Sequence, residues 1–158
     1  MLCTYTTQKG QTKGSALATE REVVDQCLCH KVRSAARAVT RAYDTALRPT
    51  GLRATQLSVL VCVAAEGAVS IAALAQYMGM DRSTLTRNLQ PLANEGLVSL
   101  GLEGWRRSRT ISITRKGVER MRKALPYWEE AQKTLRATLG AAGWADVTRG
   151  LDRLGSVA

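Results

Sequence analysis

The sequence is 158 residues long, which favours a single domain with a hydrophobic core of its own. It has 23 Lys and Arg residues against 13 Asp and Glu, a formal charge of +10 that favours a polyanionic partner such as nucleic acid. A single histidine, with no glycine-rich phosphate loop, paired carboxylates or nucleophile motif, argues against an enzyme and predicts no cofactor. No apolar run approaches the roughly 18 residues of a membrane span, and there is no signal-peptide core, so we predict a cytoplasmic protein with no membrane partner.

The first third of the chain predicts an arm and a long helix. Residues 1–18 are polar and show no periodicity, which indicates a flexible arm. Thr19 and Glu22 fit a capping box at a helix start. Apolar residues then recur every three or four positions over residues 24–47, until the segment 48–51 (RPTG) ends the helix. A long helix with a continuous apolar stripe must pack against another apolar surface, which in a small protein often belongs to a second copy of the chain.

Three short helices follow, and each has its own start or stop signal. Gly67 ends the first, Ser70 caps the second, Gly79 ends it, and Asp81 caps the third, in which Pro91 is expected to produce a bend. The positions predicted to face the core are Leu57, Leu60, Val61 and Ala64, then Ile71, Leu74, Ala75 and Met78, then Leu85, Leu89 and Leu92. Two short helices joined by a tight turn that contains glycine predict a helix-turn-helix.

The pattern changes to a period of two after Gly96. Val98, Leu100 and Leu102 alternate with polar residues, and so do Ile111 and Ile113, which predicts a β-hairpin. Its tip, residues 103–109, is polar, basic and contains glycine. A hairpin placed directly after a helix-turn-helix is a wing.

The last part predicts a second long helix. Thr114 caps it, Pro126 is expected to kink it, and Gly140 and Gly143 break it before a terminal helix over residues 144–154. Its apolar stripe consists of Val118, Met121, Leu125, Trp128, Ala131, Leu135 and Leu139. The predicted fold is therefore mainly α. A winged helix-turn-helix lobe would occupy residues 51–114, with N- and C-terminal dimerisation helices at 19–50 and 115–158.

The third short helix and the wing carry the residues expected to contact duplex DNA. They are Arg82, Ser83, Thr84, Thr86, Arg87 and Asn88 on the helix, and Arg106, Arg107 and Arg109 in the wing. Short polar side chains let a recognition helix enter a ~12 Å major groove, while arginine suits phosphates, guanine and a narrow minor groove. A polar helix start or a basic hairpin tip is alone often only a cap or a solvated turn. Helix-turn-helix, wing and net charge together predict DNA binding.

With these elements and residues, the chain resembles the MarR family of winged helix-turn-helix regulators. The segments that carry the resemblance are 51–57 (GLRATQL), 70–75 (SIAALA), 81–87 (DRSTLTR), 92–98 (LANEGLV) and 113–117 (ITRKG). The resemblance implies a homodimer built from the first and last helices, which binds palindromic DNA and usually represses until a ligand or an oxidant releases it. Wings of the family typically carry an Asp two residues before the arginine that matches Arg107, where this sequence has Trp105.

The cysteines of the first helix raise the possibility of a thiol sensor. Thiols that stay reduced in the cytosol become reactive when a nearby cation lowers their pKa, which makes Cys27 and Cys29 candidates for a redox switch. On one continuous helix, residues two apart project roughly opposite ways, so the pair would not bridge, whereas Cys27 and His30 would share a face. The alternatives are that both cysteines pack in a dimer interface, or that they bind a soft metal, which this spacing disfavours.

The resemblance adds two ligand hypotheses. Leu28-Cys29, followed by Arg37, Thr40 and Tyr43, is similar to the first helix of the organic-hydroperoxide sensors in the family, which implies a reactive Cys29 and a Tyr43 that steadies its thiolate. Other family members imply a small aromatic or phenolic acid bound between the DNA-binding lobe and the dimer helices. No metal ligand set is assigned. A different class of function remains open, since a winged-helix fold also serves as a protein–protein adaptor that does not bind DNA.

Overall fold

The computed structural model of the chain describes residues 18–101 and 110–156. Its elements are α1 (Glu20–Gln26), α2 (Leu28–Leu47), a 3₁₀ helix (Arg48–Thr50), α3 (Ala54–Glu66), β1 (Val69–Ser70), α4 (Ile71–Tyr77), α5 (Arg82–Asn94), β2 (Val98–Leu100), β3 (Thr110–Ile113) and α6 (Arg115–Gly155). The prediction of a mainly helical winged helix-turn-helix is confirmed. The described residues divide into two units at the boundary between Arg37 and Ala38. The predicted arm, except for its last residue, lies outside the described residues.

The described part of the first unit starts with the predicted capping box. The Thr19 amide donates to Glu22 Oε2 at 2.8 Å, and the Glu22 amide donates to Thr19 Oγ1 at 3.3 Å. The prediction of one continuous helix is wrong at Cys27, which has extended backbone (ψ 110°) and separates α1 from α2. The Cys27 carbonyl accepts from the Lys31 amide at 3.1 Å and so starts α2. Apolar periodicity runs unchanged from Val24 to Leu28, so it does not detect a break of one residue.

The second unit encloses the hydrophobic core. Leu47 and Leu52, on either side of the 3₁₀ helix, are buried together with residues of α3 to β3 and with Ala124 of α6. Gly51 ends the 3₁₀ helix with a positive φ of 73°, a conformation that favours glycine. The Arg120 side chain donates to the Thr50 carbonyl at 3.1 Å and ties this turn to α6.

The helix-turn-helix forms as predicted, but two positions of α3 that were predicted to face the core are exposed. The Ser70 hydroxyl accepts from the Ala73 amide at 3.1 Å, and Gly79 ends the second helix with φ 61°. Leu57 and Leu60 are buried, but Val61 is 41% exposed and Ala64 is also exposed. The remaining buried positions of α3 are Val59 and Val63. Because the covering elements lie over a different stripe of α3, periodicity alone chose two wrong positions.

The predicted hairpin is part of a three-stranded antiparallel sheet with the order β1-β3-β2. Val98 pairs with Ile113, and Leu100 pairs with Ile111, in the register of the predicted alternation. The strand β1, which the sequence pattern did not indicate, pairs Val69 with Ile111 from the other side. This pairing anchors the start of α4 to the wing hairpin.

The long helix α6 begins at the predicted cap. The Gly117 amide donates to Thr114 Oγ1 at 3.0 Å, and that hydroxyl donates to the Gly96 carbonyl at 2.8 Å. The helix is interrupted at Gly140 (φ 68°, ψ 170°), as predicted, whereas Gly143 lies within regular helix. Backbone dihedral angles stay helical at Pro126. No helix in the described residues is long and apolar enough to cross a lipid bilayer.

Candidate nucleic-acid interface

The amino-terminal end of α5 is organised by one carboxylate. The Asp81 side chain accepts a hydrogen bond from the Thr84 amide at 2.8 Å, which caps the helix. It also accepts from the Ser83 hydroxyl at 2.5 Å and from the Thr84 hydroxyl at 2.6 Å. These hydrogen bonds, the one from the Ser83 side chain first, hold the pKa of Asp81 well below its usual range. An ionised Asp81 therefore fixes the orientation of both hydroxyl groups at neutral pH.

The residues of α5 that were predicted to contact DNA lie on its outer side. Arg82, Ser83, Thr86 and Arg87 are exposed, while Thr84 and Asn88 are half-buried. The Arg87 guanidinium folds back along the helix, with Nε 3.4 Å from the Ser83 carbonyl and Nη2 3.4 Å from the Ser83 hydroxyl. Hydrogen bonds of this length are weak, so Arg87 is held loosely and is free to turn towards a partner.

The inner side of the same helix is fully covered. Leu85, Leu89 and Leu92 are at most 1% exposed and pack in the core. The Asp81 cap at one end and these three leucines along the helix leave α5 little freedom to rotate. The polar side is therefore presented as a rigid surface, which recognition of base edges requires.

The predicted contacts of the wing lie outside the described residues. Arg106, Arg107 and Arg109 belong to residues 102–109. The described frame of the hairpin ends at Gly101 and Thr110, where the Gly101 amide donates to the Thr110 carbonyl at 2.9 Å. The role of the three arginines stays a prediction.

Comparison with known proteins decides the family. Residues 52–99, from the start of the lobe to β2, match the model of the MarR family. The transcriptional regulator MosR of M. tuberculosis, solved in complex with DNA, is 38% identical with a TM-score of 0.75, and the alignment covers 83% of this chain and 95% of MosR. The chain belongs to the MarR family. It is thus a winged helix-turn-helix transcription regulator and not an enzyme.

Two further relatives extend the comparison. The uncharacterized HTH-type transcriptional regulator YwoH of Bacillus subtilis is 26% identical over 93 residues, 59% of this chain and 68% of YwoH. CouR of Rhodococcus jostii RHA1, solved with p-coumaroyl-CoA, is 25% identical with a TM-score of 0.68, and the alignment covers 85% of this chain and 93% of CouR. Since both structural alignments cover more than four fifths of this MarR-family chain, the likeness includes helices outside the helix-turn-helix.

The candidate redox residues lie in different surroundings. Cys27 is half-buried at the break between α1 and α2, and Cys29 is exposed in the first turn of α2. Because Cys27 is not helical, the argument that the two cysteines must project opposite ways does not hold. Cys62 packs against the core, and burial, with the charge of Glu66, raises the pKa of its thiol.

Tyr43 connects α2 to α6. Its hydroxyl donates to Gln132 Oε1 at 2.6 Å in a partly buried contact. Burial raises the pKa of Tyr43, partly offset by the positive charge of Arg136. The hydroxyl that the family resemblance assigned to a thiolate is therefore hydrogen-bonded to a side chain of α6.

An apolar cleft lies between α3 and α6. It has a volume of about 190 Å³ and is lined by Leu57, Ser58, Val61, Leu125 and Trp128. Its presence explains the exposure of Val61, which the pattern had assigned to the core. Trp128 also borders a second depression of about 230 Å³ with Glu129, Gln132, Lys133 and Arg136. The cleft thus offers an aromatic ring and apolar side chains, and Arg136 is a cation of the adjoining depression.

Sequence reasoning identified Asp81 only as a cap and missed that it also orients the hydroxyl groups of Ser83 and Thr84. The signal was present in residues 81–84 (DRST), because hydroxyl side chains two and three positions after an N-cap aspartate lie within reach of its carboxylate. These hydrogen bonds fix the orientation of both hydroxyl groups within the chain itself.

Proposed function

We propose that the chain binds a palindromic operator as a homodimer and represses transcription, with α5 of each copy in a major groove. The observation that carries the proposal is the exposed polar side of a rigidly held α5. Arg82 and Arg87 suit guanine or phosphate, and Ser83 and Thr86 are short enough for close approach. The wing residues Arg106, Arg107 and Arg109 would enter the flanking minor groove. MosR, 38% identical, was solved in complex with DNA, which supports a DNA partner.

Exposed apolar side chains at both ends of the chain support the homodimer. Those on α1 and α2 are Val23, Val24, Leu28 and Val39, and those late in α6 are Leu139, Val147, Leu151 and Leu154, all between 40% and 56% exposed. Helices with apolar stripes of this kind are stable in water only when another surface covers them. A second copy would cover them in the way the family resemblance implies.

A gel-shift titration tests DNA binding by α5. The DNA upstream of the protein's own gene is titrated at two salt concentrations with wild type, Arg87→Ala and the control Arg122→Ala, which removes an exposed arginine of α6. Loss of a base contact by Arg87→Ala should weaken specific binding by about tenfold to a hundredfold. The control should change affinity by less than about threefold, since it removes charge alone.

Equal affinities of Arg87→Ala and Arg122→Ala would contradict the placement of α5. Absence of saturable binding by the wild type would favour the alternative function, a winged-helix adaptor between proteins. Light scattering gives the oligomeric state in the same preparations. A mass of one 17.1 kDa chain at micromolar concentration would exclude the homodimer.

For release from DNA, the apolar cleft favours a small aromatic ligand. Trp128 and Leu125 offer an aromatic and an aliphatic wall, and Arg136 lies in the adjoining depression. CouR, which is 25% identical, was solved with p-coumaroyl-CoA. Salicylate and p-coumaroyl-CoA are suitable probes in the gel shift. Release of wild type with no release of Trp128→Leu supports the cleft, and release of both variants alike contradicts it.

The exposed thiol of Cys29 and the helix break at Cys27 favour a second candidate, release by oxidation. Cumene hydroperoxide, added to reduced protein, oxidises an accessible thiolate to a sulfenic acid while it is itself reduced to the alcohol. DNA binding should then be lost in wild type and in the control Cys62→Ser, but retained in Cys29→Ser or Cys27→Ser. Identical behaviour of all four proteins would exclude a thiol switch.

A further inference from the structure

A concave basic pocket lies where α2 meets α3, apart from the apolar cleft. It has a volume of about 550 Å³ and is lined by Arg41, Asp44, Thr45, Arg48, Gly51, Leu52 and Arg53. Three of these residues carry a guanidinium group and one carries a carboxylate. The pocket therefore has a local formal charge of about +2 at neutral pH.

Among the described residues, the three guanidinium groups form no ion pair. Arg41, Arg48 and Arg53 are exposed, and within residues 18–101 and 110–156 no carboxylate lies in ion-pair distance of them. The one acid of the pocket is already engaged, since Asp44 Oδ1 accepts from the Ala54 amide at 2.7 Å at the start of α3. The guanidinium N–H groups of the three arginines are therefore available to donate hydrogen bonds to a ligand from solution.

The wall that holds these arginines is fixed. Leu47 and Leu52 are buried on either side of the turn, and Gly51 has the positive φ that closes it. Behind the turn, Arg120 donates to the Thr50 carbonyl at 3.1 Å, and its Nη1 approaches Glu95 Oε2 at 3.5 Å. A preformed wall lowers the conformational entropy that a ligand must overcome to order its site.

We propose that this pocket binds a small organic anion with two or more negative charges carried by carboxylate or phosphate groups. Guanidinium forks bind such oxyanions with two parallel hydrogen bonds, and one charge would not balance the three arginines. The volume lies in the range of small-molecule sites. The ligand class differs from the aromatic ligand proposed for the cleft, and binding here does not depend on DNA binding by α5.

Isothermal titration calorimetry with citrate and with pyrophosphate, at constant ionic strength, tests the proposal. Wild type is compared with Arg41→Gln/Arg53→Gln, with Arg41→Lys/Arg53→Lys and with the control Arg122→Gln, an exposed arginine of α6. We expect saturable binding of one anion per chain, unchanged in the control. The glutamine variant should bind about tenfold or more weakly, and the lysine variant should lie between, because lysine keeps the charge but not the fork.

Thermal unfolding of each variant, without anion, checks that it is folded. Equal binding by wild type and the glutamine variant, or binding that does not saturate, would overturn the proposal in favour of unspecific screening. Absence of anion binding by the wild type would also overturn it. If the wild type binds no anion, and the glutamine variant loses more DNA affinity than Arg122→Gln, the arginines would be phosphate contacts of the operator complex. A wild type that binds the anion but no DNA would leave this inference standing and refute the proposed function.

Discussion

Two sets of apolar side chains with the same helical spacing, four and then three residues apart, have opposite environments. Leu85, Leu89 and Leu92 of α5 are at most 1% exposed, whereas Val147, Leu151 and Leu154 of α6 are between 40% and 52% exposed. The first set is covered by neighbouring elements of its own chain. Periodicity therefore identifies a helix face that requires burial, but it does not identify what buries that face. Helix α5 is fixed by the fold of one chain, whereas the last part of α6 would be covered only in the proposed homodimer.

The largest effect should come from truncating one leucine in each set. Leu89→Ala removes a core side chain and should lower the free energy of unfolding by about 2–5 kcal/mol at any protein concentration. Leu151→Ala removes a half-exposed side chain and should cost under about 1 kcal/mol for the single chain, with a further loss that depends on protein concentration. Urea unfolding at two protein concentrations measures the free energy of unfolding of both variants. Equal, concentration-independent losses would remove the distinction between the two sets.

A pair of glycines in α6 should give the next largest difference. A Cβ at Gly117 would overlap the Leu97 carbonyl oxygen and lie 2.8 Å from Ile113 Cγ1, so Gly117→Ala should cost about 1–3 kcal/mol. The Cβ of Gly150→Ala would meet no atom within 4 Å, and the helix should gain about 0.5–1 kcal/mol. Urea unfolding of both variants provides the comparison. A neutral Gly117→Ala would show that α6 moves away easily from Leu97 and Ile113.

The Asp81 cap should give a smaller effect that depends on pH. Since the folded-state pKa of Asp81 is lowered, its contribution is present above the ordinary value of 3.8 and is lost as the pH falls below it. Asp81→Ala should lower Tm by roughly 2–4 °C at neutral pH. Asp81→Asn keeps a capping oxygen that does not titrate, so the Tm advantage of wild type should shrink from about pH 5 to about pH 2. A difference that is constant with pH would contradict the assigned hydrogen bonds.

The smallest effect concerns the interruption of α6. The Arg136 guanidinium lies 4.8 Å from the centre of the Trp144 ring, across the break at Gly140. A double-mutant cycle with Arg136→Gln and Trp144→Leu should give a coupling of about 0.5–1 kcal/mol in urea unfolding. Strictly additive losses would mean that the contact does not stabilise the two parts of α6 against each other.

Much of the fold could be predicted because its signals are local. The capping residues Thr19, Ser70, Asp81 and Thr114 bind amides three positions away, and Gly140 stops a helix through its own backbone conformation. The polar side of α5 followed in the same way from the positions of its leucines. These properties depend on neighbours in sequence, so they can be read without knowing the tertiary structure.

Other features depend on residues far apart in the chain, and only the tertiary structure decided them. Strand β1 exists because Val69 meets Ile111, and Val61 stays exposed because α6 borders a cleft beside it. The basic pocket likewise needs the end of α2 and the start of α3 to converge around a buried turn. The sequence by itself therefore determined which residues cap each helix and which helix faces are apolar or polar. Which apolar residues are buried was decided by packing, because burial depends on contacts between residues that are far apart in the chain.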